Sequence, residues 1–128
     1  MARENEGRLL VPGSILRLDL DTSQPLGYGM KDRTMAFFAF SSAFETSSGM
    51  ETVARYAAED PLVSGWIEGG SVIAGRSAVV QTRAGDGRII LFGFPVQHRG
   101  QSFATFRLLF NAVLSAPTAT PPKPRSRR

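Results

Sequence analysis

From Ser14 to Leu20 the chain alternates strictly, with Ile15, Arg17 and Asp19 on one side of an extended backbone and Leu16, Leu18 and Leu20 on the other. A period of two with one purely aliphatic side predicts a half-buried β-strand whose leucines face the core. Thr34 to Phe40 is apolar on both sides, Met35, Phe37 and Ala39 against Ala36, Phe38 and Phe40. That pattern predicts an interior strand. Ser41 to Thr52 has no clear period and reads as an exposed connection, and Val53 to Ala57 as a short strand ended by Asp60-Pro61. Leu62 to Trp66 forms a brief strand or turn, and Glu68 to Ser71 suits a hairpin connection before a short apolar run, Val72 to Ala74.

The second half is more strongly patterned. Ser77 to Arg83 and Arg88 to Phe94 are strands joined by Ala84-Gly85-Asp86-Gly87, a hairpin-length link with glycine where positive φ is needed. Arg88 to Phe94 is apolar on both faces and is expected to have neighbours on both sides. After Pro95 comes a polar loop, then a helix to about Ser115 with Ser102 as its N-cap. Phe103, Phe106, Leu109, Phe110, Val113 and Leu114 form one broad stripe, predicted to pack on the core, with Thr105, Arg107 and Asn111 outside it.

The 128 residues suit one domain: a flexible start (1–8), a folded body (9–115) and a disordered, Pro-rich basic tail (116–128). Charge is placed unevenly. All 11 acidic residues precede residue 116, as do all the basic residues except Lys123, Arg125, Arg127 and Arg128, so the tail alone accounts for the formal +4. The pI therefore argues for no basic face on the body and no specific nucleic-acid site. Weak, salt-sensitive attachment of the tail to nucleic acid or an anionic membrane stays open beside a solubilising role. With 0 cysteines, disulfides, thiolate metal sites and cysteine nucleophiles are excluded. The first residues lack the apolar core of a secretion signal, and no uninterrupted apolar run reaches membrane-spanning length. The chain as written reads as soluble, with its compartment undetermined.

Candidate chemistry is sparse. His98 is the single histidine; as a general base it could serve Ser64, Ser71 or Ser102, but no Gly-x-Ser-x-Gly elbow exposes any of them. No phosphate-binding glycine motif occurs, and Trp66 reads as core or partly buried surface. The cluster that stands out is Gln97, His98, Arg99 and Gln101, between a strand end and a helix start. Two readings stay open. Arg99 and free helix amides hold a carboxylate or phosphate, or Gln97, Arg99 and Gln101 hydrogen-bond exposed backbone in their own loop.

Several segments carry a resemblance: Val11 to Ser14, Pro25 to Met30, Ala54 to Tyr56, Ser64 to Gly69, and above all Phe92-Gly93-Phe94 with Gln97 to Asn111. Together, over roughly residues 9 to 114, they resemble the C-terminal glutamine-amidotransferase-like module of bacterial zinc carboxypeptidases of the carboxypeptidase A type. The resemblance implies an α/β, partial flavodoxin-like (class I glutamine-amidotransferase-like) domain. Its sheet would be mixed, with a β-hairpin and a C-terminal helix, and this chain would hold mainly its later portion. It also implies a non-catalytic accessory module, partnered by a carboxypeptidase-like catalytic domain or by its own oligomer, in proteins usually exported. That family holds zinc through His-x-x-Glu and a distant histidine, and an amidotransferase needs a cysteine; this chain has neither set. It therefore needs no cofactor of its own, and zinc belongs to a separate catalytic domain.

Overall fold

The computed structural model describes residues 8–116. Except for Arg8 and Ala116, the flexible start and the basic tail lie outside the described residues. Six strands and one helix follow in order: β1 (Ser14–Leu20), β2 (Arg33–Phe38), β3 (Met50–Tyr56), β4 (Leu62–Ser64), β5 (Ser77–Ala84), β6 (Gly87–Phe92) and α1 (Phe103–Leu114). They form a single curled sheet in the order β2-β1-β3-β5-β6, with β4 paired to β1, and α1 packs against it.

The alternation in β1 is realised as expected, with Leu16, Leu18 and Leu20 all buried. One flank of β1 pairs with β2 from Ser14↔Phe38 to Asp19↔Arg33. Its other flank is shared. β3 takes Leu18 to Leu20, and β4 takes Ile15 and Leu16 after the chain turns back through Asp60-Pro61. The turn is held by the Arg17 amide donating to the Pro61 carbonyl at 2.7 Å and the Ala57 amide donating to the Arg17 carbonyl at 3.0 Å. Register shifts between β3 and β5 help to curl the sheet.

The β5–β6 hairpin forms as read, closing at Ala84↔Gly87 around Gly85, whose φ is +58°. Several expectations are corrected. The sheet is not mixed: every strand pair is antiparallel, and among the described residues no α-helix lies between strands to make the crossover that parallel neighbours usually require. β2 and β6 are the outer strands of that order rather than interior ones, and Ile89 and Leu91 of β6 are exposed. Gly70–Val72 forms a 3-10 turn where Glu68 to Ser71 is expected to make a hairpin connection into Val72 to Ala74. The connection from Ser41 is not wholly free, since Phe44 bridges Ser77.

Gly93, in the Phe92-Gly93-Phe94 signature, has a packing reason. The Ser42 amide donates to its carbonyl at 2.6 Å, and a Cβ at Gly93 would lie 2.3 Å from the Ser42 oxygen. The two segments approach too closely there for any side chain. Beside this crossing the Tyr56 hydroxyl donates to the Ser42 carbonyl at 2.8 Å, and its ring meets Phe38 edge-on at 5.5 Å. Burial pushes the Tyr56 phenol far above its ordinary range.

The largest correction concerns α1. The residues it buries fully are Thr105 and Leu108, with Ala112 packed against the core. Phe103, Phe110, Val113 and Leu114, read as core-facing, are instead 75%, 57%, 63% and 74% exposed. With 3.6 residues per turn, Thr105, Leu108 and Ala112 share one side of the helix, Phe103, Phe110 and Leu114 lie opposite, and Phe106 and Val113 lie on the flank between. Hydrogen bonds explain the orientation. Thr105 Oγ1 donates to the Val96 carbonyl at 2.7 Å, and Asn111 Nδ2 donates to the Leu26 and Tyr28 carbonyls at 2.8 and 2.9 Å. Turning the aromatic stripe inward would break these bonds and bury large rings where Thr105 and Ala112 now fit.

This orientation predicts opposite outcomes for two truncations on one helix. In chemical denaturation of dilute protein, Leu108→Ala should cost about 2–5 kcal/mol, whereas Phe110→Ala should stay within about 0.5 kcal/mol of the parent.

Candidate functional site

The loop from Gln97 to Gln101 runs from the end of β6 to the start of α1. Arg99 (φ +50°) and Gly100 (φ +67°) turn it back, and the Gln101 amide donates to the His98 carbonyl at 2.9 Å. His98 is half-buried, its ring centroid 4.5 Å from that of Phe37 on β2. Gln97, Arg99 and Gln101 are exposed, and their side chains have no hydrogen-bond or charge partner among the described residues. The loop is closed by Thr105 and by stacking of His98, not by those three side chains.

Ser102 does not cap α1 through its side chain. Its Oγ is buried without a hydrogen-bond partner, while its carbonyl accepts from the Thr105 amide at 3.2 Å. The first turn of α1 holds no acidic residue, so no carboxylate offsets the positive end of the helix dipole. The proposed nucleophile–base pairing gains no geometric support: the Ser64, Ser71 and Ser102 hydroxyls make no hydrogen bond to His98. Among the described residues, no three His, Cys, Asp or Glu side chains cluster to hold a metal ion. No helix there is long and apolar enough to cross a membrane. Trp66 is half-exposed, its backbone held by Ser14, whose Oγ accepts from the Trp66 amide at 2.9 Å and donates to its carbonyl at 2.7 Å.

A second place, which sequence reasoning missed, lies at the other end of α1. An open groove of about 470 Å³ is lined by Thr22, Ser23, Gln24, Tyr28, Asn111 and Leu114, among others. Beneath it a polar chain joins residues distant in sequence. Gln24 Nε2 donates to Asp21 at 2.8 Å and to the Thr52 carbonyl at 3.0 Å, and Gln81 Nε2 donates to Gln24 Oε1 at 3.0 Å and to Glu51 at 2.8 Å. Arg88 then reaches Gln81 Oε1 at 3.5 Å and donates to Ser115 Oγ at 2.5 Å. These polar groups spend their hydrogen bonds on one another, leaving the exposed Tyr28 ring, Pro25 and Leu114 as the surface on offer. The one sequence cue was Gln81, directly after the apolar Ala78, Val79 and Val80 of β5.

Hydrogen bonds from the Ser23 hydroxyl, the Gln24 amide and the Ser23 backbone hold the Asp21 carboxyl below its usual range. A lowered folded-state value means that these bonds are intact at neutral pH and are lost as pH falls through that value. An acid titration followed by the Ser23 amide NMR shift should accordingly show a midpoint below about 3.9, the ordinary Asp value; a midpoint at or above it would remove this network from the folded state. No family model matches this chain, and neither the curated proteins nor the solved structures contain a match to it.

Proposed function

We propose that this chain is a non-catalytic accessory module that binds a neighbouring protein surface through the outer face of α1. The observation that carries the reading is the outward aromatic stripe. A helix apolar on both sides suits a position between two layers, yet only one layer covers it here. Phe103, Phe106 and Phe110 stack edge-to-face along the exposed side, with centroids 5.4 and 6.5 Å apart. Contiguous apolar surface rimmed by polar groups marks an interaction site.

The resemblance to the C-terminal module of bacterial zinc carboxypeptidases supports the same role and names the neighbour, a carboxypeptidase-like catalytic domain. On this reading zinc stays with the catalytic domain. The exposed Ile89 and Leu91 on the outer strand β6 fit a sheet awaiting cover.

A second reading rests on a separate observation: in the loop leading into α1 the exposed Arg99 side chain has no partner among the described residues, and the first turn of the helix holds no acidic residue. These groups suit a carboxylate, such as a peptide C-terminus, with Gln97, His98 and Gln101 at its margin.

Two experiments test these readings. Incubated with zinc and peptides bearing free C-termini, the purified chain should release no amino acid; release abolished by His98→Ala would overturn the accessory role. Titrated with acetate and a short peptide, the chain should bind the carboxylate at least about tenfold more tightly than Arg99→Ala does, as for loss of one charged hydrogen bond; superimposable curves would reject the anion site.

A further inference from the structure

Resting on the reading of α1 as an interaction face, we infer that in the free chain this face is covered by the α1 of a second copy, packed antiparallel about a two-fold axis. The stripe is complementary to itself. Phe103, Phe106, Phe110 and Val113 repeat at spacings of three and four, the seam pattern of paired helices. Antiparallel apposition sets Phe103 against Val113 of the second copy, a large side chain against a small one, and Phe106 against Phe110. It also places each helix N-terminus beside the other's C-terminus, which the dipoles favour, whereas parallel apposition stacks like ends and like rings.

Arg107 is the only charged residue in α1, and its guanidinium lies against Gly29. The two-fold axis sets the two Arg107 side chains along one margin of the seam, and their repulsion keeps the pairing weak.

The area agrees with a weak dimer. Phe103 and Phe110 are 75% and 57% exposed, Val113 and Leu114 63% and 74%. With about 150–250 Å² for each aromatic side chain, the stripe offers on the order of 400 Å² per copy. Two copies then bury about 800 Å², under the roughly 1,000 Å² of a stable interface. Self-association should therefore depend on concentration.

Sedimentation equilibrium of the full chain, from low micromolar to high micromolar concentration, tests this directly. The parent should pass from monomer to dimer. Phe110→Asp and Leu114→Lys, both on side chains outside the core, should each raise the dissociation constant about tenfold or more while keeping cooperative unfolding. Leu91→Lys, on the exposed side of β6, should leave it unchanged. A dimer insensitive to both α1 variants, or broken only by Leu91→Lys, overturns the inference. A parent monomeric throughout overturns it as well, and the dye 8-anilinonaphthalene sulfonate then separates the two claims. Dye bound by the parent and lost in Phe110→Asp leaves the interaction face standing for another partner, whereas no dye binding overturns that reading too.

Discussion

The rotation of α1 about its own axis is set by two polar side chains, and the character of the molecular surface follows from it. Asn111 Nδ2 bridges the Leu26 and Tyr28 carbonyls, and Thr105 Oγ1 reaches the Val96 carbonyl. These carbonyls belong to the 3-10 turn Pro25–Gly27 with its following residue Tyr28, and to the loop at Val96, where backbone oxygens lack ladder partners, so each bond satisfies a group that would otherwise be costly to cover. Leu108 fills the space between them. With its two ends tied, the helix has no freedom to exchange its small inner side for its aromatic outer side.

That constraint gives the domain two unlike surfaces. The inner one is a continuous core in which Leu16, Leu18, Ala36, Phe38, Tyr56, Val79 and Leu108 meet. The outer one is a ladder of phenylalanine rings. Burial of these rings by a neighbour would contribute several kcal/mol at about 25 cal/mol per Å², before the cost of association is subtracted. A polar cluster lies at each end of α1. At its C-terminal end the network from Asp21 to Ser115 is satisfied within itself and works as a fastening between the sheet, the 3-10 turn and the helix. At its N-terminal end Arg99 and Ser102 Oγ have no hydrogen-bond partner among the described residues.

Local pattern by itself determined much of this protein. The strict alternation of β1 requires one aliphatic side, Gly85-Asp86 requires a tight hairpin, and the length and period between Phe103 and Leu114 require a helix. Those features depend on backbone geometry and on near neighbours, which the order of residues specifies directly. The same order also placed His98, Arg99 and their neighbours together at a strand–helix junction.

Tertiary structure decided what local pattern leaves degenerate. Apolar residues on both faces of Arg88 to Phe94 state that the strand is hydrophobic, not how many neighbours it has, and the pairing order set β6 at an edge. The stripe on α1 states that one side seeks apolar cover, not which cover. Asn111 and Thr105 read locally as the solvent side, because their carbonyl partners come from loops 85 and 9 residues away along the chain. The Gln24–Gln81 contact spans 57 residues and has no local signature either. Side-chain hydrogen bonds to distant backbone are specific in geometry but invisible to periodicity, and here they outweighed the hydrophobic pattern in setting which way the helix faces.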